Sequence, residues 1–105
     1  MALTWDGGGD GISAAQLKLF HWIRDHIDAL TAAAAPMIAP ELSEWLERPF
    51  SDDPWQELSW EGAHLPLDGS IDGEWDLSYS VAQWPDAMVT VYFKQRQPTL
   101  VQIDD

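Results

Sequence analysis

Residues 75–82 read Trp-Asp-Leu-Ser-Tyr-Ser-Val-Ala, an alternation of large apolar side chains with small or polar ones. Successive side chains of a β-strand point to opposite faces, so this pattern predicts a strand with one buried face. Trp84-Pro85-Asp86 predicts a turn, and residues 88–94 are rich in β-branched and aromatic residues typical of a second strand. The buried face of that second strand should carry Val89, Val91 and Phe93.

Weaker strand signals flank this pair on both sides. Residues 95–98 predict another turn, and residues 99–103 predict a last strand. Upstream, residues 55–60 and 63–67 are short strand candidates, and Pro66 places the second of these at a sheet edge. The C-terminal half is therefore predicted to be an antiparallel β-meander of about four or five strands.

The N-terminal half has helical periodicity. Ser13 and Gln16 have the spacing of a capping box, which starts a helix. This helix should end before Pro36, because the residue preceding a proline disfavours helical geometry. A second, shorter helix is predicted over residues 40–48, with proline at its first position. The apolar faces would consist of Leu17, Phe20, Ile23, Ile27, Leu30 and Ala34 in the first helix and Leu42, Trp45 and Leu46 in the second.

The chain of 105 residues has the size of one domain. Residues 1–12 contain Gly7-Gly8-Gly9-Asp10-Gly11 and are predicted to be a flexible, glycine-rich N-terminus. Residues 13–105 are predicted to form a single α+β domain, with the two helices packed on one side of the C-terminal meander.

Charge is the most unusual feature of the composition. The sequence has 18 Asp and Glu against 5 Lys and Arg, a formal net charge of −13. Such a field repels phosphate backbones and anionic lipid, so we expect neither nucleic-acid nor membrane binding, and it attracts basic proteins. The alternative is that the acidity serves solubility alone. Because the N-terminus lacks the basic start and apolar run of a secretory signal, we expect a cytoplasmic protein.

The residues give little support for chemistry. The absence of cysteine excludes disulfides, thiolate metal sites and thiol nucleophiles. His21 and Asp25 lie one helical turn apart and could share a metal, but no second ligand pair accompanies them. Residues 68–73 resemble the first half of a calcium loop, yet Tyr79 stands where the bidentate glutamate is needed, which favours a simple turn. We therefore predict no catalytic residue, no metal site and no cofactor, and expect a protein that is not an enzyme.

The middle of the chain combines acids with tryptophan. Between Glu41 and Asp76, Arg48 is the only cationic residue among many carboxylates, and four of the seven tryptophans lie in the same segment. We interpret Trp22, Trp45 and Trp75 as core residues, leave Trp55 and Trp60 open between core and surface, and expect Trp84 on the polar face of its strand. Exposed indoles supply contact area and carboxylates steer encounter with a basic partner. The predicted partner-binding residues are Asp52, Asp53, Trp55, Glu57, Trp60, Glu61 and Trp84.

Taken together, these features resemble the small acidic immunity proteins of bacterial polymorphic-toxin and contact-dependent competition systems. The resemblance is carried by the helix from Ser13, the acidic middle, the run from Glu74-Trp75-Asp76-Leu77 through Trp84-Pro85-Asp86 to Val89-Thr90-Val91-Tyr92-Phe93, and the terminal Asp104-Asp105. It implies that an acidic face occludes the basic active site of a toxin. Two alternatives remain: an adaptor or homodimeric assembly subunit that uses exposed tryptophans, and a small metal- or ligand-binding domain that uses His21, Asp25 or residues 68–72.

Overall fold

A computed structural model describes residues 1–7 and 11–105 of the chain. The strands form one five-stranded sheet in the order β1-β2-β3-β4-β5, in which β1 is parallel to β2 and all other neighbours are antiparallel. The predicted α+β class, with two helices and a mostly antiparallel sheet, is confirmed. The elements in chain order are β1 (Ala2–Trp5), α1 (Ala14–Asp25), α2 (Ile27–Leu46), a short 3₁₀-helix (Pro54–Gln56), β2 (Leu58–Leu65), β3 (Glu74–Val81), β4 (Trp84–Lys94) and β5 (Gln97–Asp104).

The predicted central strands are present, but the turn between them is shorter than expected. Ala82 and Gln83 form the turn, and β4 already begins at Trp84. The register of β3 and β4 shifts between Ser80 and Val81, so that Val81 pairs with Trp84. Such a bulge adds residues to one strand and redirects the side chains beyond it. The proline signal at 85 therefore marks a bulge and not the turn.

The strand candidates at 55–60 and 63–67 were wrong in their bounds, because one continuous strand, β2, spans the second half of the first and most of the second. Trp55 lies instead in the 3₁₀-helix, where Asp53 is the N-cap and Pro54 occupies the first position. The fixed φ of proline and the capping carboxylate both favour a helical turn over a strand at this point.

The core lies between the helices and one face of the sheet. Val89, Val91 and Phe93 are buried on this face, as predicted. The Tyr79 hydroxyl lies 2.8 Å from Thr31 Oγ1 of α2, a buried hydrogen bond that fixes the helix over the sheet. Burial raises the pKa of Tyr79 to about 12, although the hydrogen bond to Thr31 lowers it. Each of these two buried hydroxyls therefore has a hydrogen-bond partner.

The helix start at Ser13 is confirmed as a full capping box. Gln16 N donates to Ser13 Oγ at 3.1 Å, and Ser13 N donates to Gln16 Oε1 at 3.0 Å. Gln16 is itself buried. Its Nε2 donates to the carbonyls of Asp6 and Pro66, and these hydrogen bonds tie the ends of β1 and β2 to the helix. The predicted inward position of Leu17 was wrong: Leu17 is exposed, and Leu19 is buried in its place.

The predicted helix boundaries at Pro36 and Pro40 were also wrong. The first helix ends at Asp25, and α2 then runs without interruption from Ile27 to Leu46 through both prolines. Both prolines are exposed, so the helix carbonyls that lose a partner there face water. An unbroken buried stripe, spaced every four residues on the opposite side, holds the helix to the sheet: Leu30, Ala34, Ile38 and Leu42.

The N-terminus is not a flexible lead throughout, as predicted for residues 1–12. Residues 2–5 form β1, and the partly buried side chains of Leu3 and Trp5 pack against the core. β1 can approach β2 only because residue 62 is a glycine: a Cβ on Gly62 would collide with the Ala2 carbonyl. Residues 8–10 of the predicted lead lie outside the described residues. Within the described chain, neither helix combines the length and apolarity that crossing a bilayer requires.

Candidate partner-binding surface

The two faces of the sheet differ in what covers them. On one face, aromatic residues of the sheet contact the helices: Trp60 lies against Phe20, and Trp84 against Trp45. The other face, here called the open face, carries polar side chains on successive strands. One row crosses all five strands in register: Thr4, His64, Asp76, Tyr92 and Leu100.

The cationic side chains are largely used within the chain. Arg24 pairs with Asp25, Lys94 with Glu74 and Arg96 with Asp72. With the Arg48–Glu57 pair described next, four of the five Lys and Arg residues are bound to carboxylates of the same molecule. The remaining acids therefore dominate the potential around the protein.

Glu57 is the first correction to the predicted binding set. The residue is only 5% exposed, and its two carboxylate oxygens lie 3.0 and 2.9 Å from Nη2 of Arg48. The closer oxygen, Oε2, has no partner with hydrogen-bond geometry among the described residues. Glu57 thus anchors the segment that follows α2 and is not available to a partner.

Trp55, which the sequence left open between core and surface, has 37% of its area exposed. Its Nε1 donates to Asp28 Oδ1 of α2 at 3.0 Å, and its backbone N donates to Asp53 Oδ1 at 3.0 Å. Asp52 is exposed beside them. The segment after α2 therefore folds back along that helix and places an indole between carboxylates from two parts of the chain.

Trp45 is the most exposed tryptophan of the described residues, at 48%, although we predicted it to face inward. The buried stripe of α2 advances by four residues from Leu42 to Leu46, which leaves Trp45 on its outer side. Its ring lies 4.5 Å from that of Trp84, measured between centroids, and with Glu44 it lines a shallow pocket of about 280 Å³. Glu41, one helical turn earlier, is exposed on the same side.

Trp84 is half-buried, and the prediction that it lies on the polar face of its strand was wrong. The bulge in β4 pairs it with the buried Val81, so its ring reaches toward α2. Pro85, which lies between Trp84 and Asp86, gives no signal in the sequence for a bulge of this kind. Trp84 therefore contributes as the support under Trp45.

Trp60 and Glu61 do not join this surface. Trp60 stacks on Phe20 with ring centroids 6.1 Å apart, and its Nε1 donates to the Gly62 carbonyl at 2.8 Å. Glu61, the next residue of the strand, lies on the open face, where it accepts a hydrogen bond from Ser80 Oγ at 2.9 Å. Two neighbours in the predicted set thus lie on opposite sides of the sheet.

We name the exposed acids and indoles along the helix the α2 surface. It has two clusters about 25 Å apart along α2: one contains three predicted residues, Asp52, Asp53 and Trp55, and the other contains Trp45, which sequence reasoning assigned to the core. The α2 surface consists of Asp28, Glu41, Glu44, Trp45, Asp52, Asp53 and Trp55, with Trp84 beneath Trp45.

The open face carries a polar network that the sequence analysis did not identify. His64 Nδ1 lies 2.7 Å from Thr4 Oγ1, and His64 Nε2 lies 2.8 Å from Asp6 Oδ1. Burial raises the pKa of the adjacent Asp76, His64 lowers it and Asp6 raises it. A groove of about 400 Å³ lies next to this cluster, between the ends of β3, β4 and β5. The network joins β1 to β2. Residues 55–76 alone do not reveal it, because the partners of His64 are Thr4 and Asp6 at the N-terminus.

The carboxylates among the candidate metal ligands have partners within the chain. Asp25 pairs with Arg24, and in the loop after β2 Asp68 Oδ1 accepts from Ser70 N at 3.1 Å, the turn predicted there. Asp72 binds Arg96. In residues 1–7 and 11–105, no three His, Asp or Glu side chains are grouped as they would be to hold a metal ion.

The chain matches no family model, no curated protein and no solved structure. Carboxylates around exposed indoles bind cationic, partly apolar surfaces, because the acids attract the charge and the rings supply desolvated contact area.

Proposed function

We propose that this chain is a non-enzymatic binding protein that neutralises a basic protein partner, as the immunity proteins it resembles do. The α2 surface is the docking site, and occlusion of the partner's basic site is the mechanism. The observation that carries the proposal is Trp45, a half-exposed indole supported by Trp84 and flanked by Glu44.

Charge supports this assignment in two ways. The net charge of −13 accelerates encounter with a basic protein over long range, and the acids of the α2 surface then orient the docking. Among the described residues, the side chains of Glu41, Glu44 and Asp52 have no hydrogen-bond or ion-pair partner within the chain. These carboxylates are free to meet a cationic surface.

The fixed positions of the indoles also support the proposed docking role of the α2 surface. Trp55 is held at its ring nitrogen by Asp28, and Trp45 rests on Trp84. Preorganised aromatic side chains lose little conformational entropy when a partner covers them, which concentrates binding energy on few residues. A surface that only kept the protein soluble would need no ordered indoles.

The proposal is tested by affinity capture from cells of the source organism, at low and high salt. The wild-type chain is compared with the triple variant Glu41→Lys/Glu44→Lys/Trp45→Ala. The control is Glu61→Lys/Asp105→Lys/Leu67→Ala, which makes the same change in net charge and also truncates an exposed apolar side chain away from the α2 surface.

We expect the wild type and the control to retain one protein of net positive charge at low salt, and the α2 variant to lose it. Because exposed charges are screened by salt, retention should weaken at high salt. Capture of the same proteins by all three chains would contradict the proposal, as would a captured partner that is acidic.

A further inference from the structure

The last strand of the sheet, β5, is an exposed edge. It pairs with β4 on one side, and in the described chain no strand lies on its other side. Each edge strand presents a row of main-chain N–H and C=O groups that can pair with another strand. At the other edge, β1 has four residues, whereas β5 has eight.

The composition of β5 favours pairing. Residues 99–103 read Thr-Leu-Val-Gln-Ile, an uncharged run without proline and rich in β-branched residues. Leu100, in its middle, is 56% exposed on the open face. Natural edges are protected by charges, prolines or bulges; here Pro98, the register shift at Thr99 and Asp104 lie toward the two ends of the strand and leave residues 100–103 as a regular uncharged run.

Charge placement identifies the strand that fits. The end of β4 and the turn before β5 carry Lys94 and Arg96, each paired with a carboxylate, whereas Asp104 and Asp105 follow the uncharged centre of β5. A second copy of β5 in antiparallel orientation places its acidic end beside the turn of the first copy, and the acidic ends remain apart. A parallel copy would bring acid against acid.

We infer that two copies of this chain associate through β5, edge to edge and antiparallel, and form one continuous ten-stranded sheet from two sheets of five. Residues paired in this way share a face, so the copies' helices lie on the same side of the joined sheet. The inference rests on β5 and is independent of the proposed function.

Sedimentation equilibrium over a range of protein concentrations tests this inference, with Leu100→Glu as the test variant. Leu67→Glu is the matched control, because Leu67 is also exposed, at 68%, and lies in the loop after β2. We expect the wild type and the control to approach twice the monomer mass. Leu100→Glu should raise the dissociation constant about tenfold or more, because two carboxylates then face each other near the symmetry axis.

The effect of salt on affinity distinguishes this association from binding to a basic partner. Between about 0.1 and 1 M salt the Debye length falls from roughly 10 Å to 3 Å, which screens repulsion between two acidic chains. The dimer should therefore tighten with salt, whereas binding to a basic partner weakens. Amide hydrogen exchange at residues 99–103 should slow as the protein concentration rises.

A wild type that stays monomeric at every concentration and salt would overturn the inference. Equal weakening by Leu100→Glu and Leu67→Glu would overturn it too, since the effect would then come from charge alone. Loss of the dimer in Trp45→Ala but not in Leu100→Glu would assign the association to the exposed indoles and contradict the role of β5.

Discussion

The α2 surface and the open face are both acidic, yet they use their carboxylates differently. On the open face Asp6 binds His64, Glu61 binds Ser80 and Glu74 binds Lys94. On the α2 surface, Asp28 and Asp53 bind only the adjacent Trp55. The first set of acids holds strands together, and the second surrounds exposed indoles.

This difference shows why net charge alone does not locate a binding surface. A carboxylate that is already bound within the chain offers less to a partner, because its interactions must be exchanged and not simply gained. The density of acids along the sequence is therefore a poor guide. Their combination with ordered, uncovered aromatic rings is the better one.

The largest effect is expected at Glu57, a buried acid that belongs to neither surface. Arg48→Met leaves Glu57 buried without its cation and should lower the free energy of unfolding by about 2–3 kcal/mol, somewhat less than for a fully buried pair because Arg48 is partly exposed. Urea unfolding measures this. The exposed pair offers the control: Arg24→Met, which frees Asp25, should cost well under about 1 kcal/mol. Equal costs for both variants would show that Glu57 is not a buried anchor.

Trp45→Ala should separate folding from binding. It should weaken affinity for the captured partner by about 2 kcal/mol or more, as truncation of a central tryptophan does, and destabilise folding by only about 1 kcal/mol. Isothermal titration calorimetry and urea unfolding supply the two values. An affinity that does not change would remove Trp45 from the docking surface.

Charge reversal should affect the rate of association more than its final strength. Asp52→Lys/Asp53→Lys is expected to slow association with the partner about tenfold at low salt, with a smaller difference at high salt. Stopped-flow fluorescence measures the rate. Glu61→Lys/Asp105→Lys makes the same change in charge elsewhere, and if it slows association equally, the steering belongs to net charge and not to the α2 surface.

The smallest effect concerns the open face. Because burial raises the pKa of Asp76, its ionised form destabilises the native state, and stability falls as pH rises from the unfolded-state pKa through the native one. Asp76→Asn should therefore stabilise the protein at neutral pH, with the difference vanishing below about pH 3.9, where both states bind the proton. Urea unfolding at the two pH values checks this. An equal stabilisation by Asp76→Asn at both pH values would mean that ionisation of Asp76 is not the cause.

Local signals in the sequence predicted the fold well where one element decides its own structure. The capping box at Ser13 and the alternation over residues 75–82 each needed no distant contact. The prolines of α2 misled, because tolerance of Pro36 and Pro40 depends on a buried stripe that only the sheet provides. β1 was missed for a similar reason, since its four residues form a strand only against Gly62.

Only part of the candidate site was predicted, again because distant contacts decide where some of its residues lie. Asp52, Asp53 and Trp55 lie in the short segment between α2 and β2, and their exposure follows from local composition. Glu57 is removed from the surface by Arg48, nine residues away, and Trp84 is redirected by a bulge. Neither effect has a signal in the residue itself.

The most direct test is the indole N–H region of the ¹⁵N spectrum during titration with the captured partner, since the seven tryptophans report on distinct places in the molecule. The α2 surface predicts that the signals of Trp45 and Trp55 shift first, while those of the buried Trp75 and of Trp60, whose Nε1 is bound to Gly62, remain in place. Shifts confined to residues of the open face, with Trp45 and Trp55 unchanged, would contradict the account.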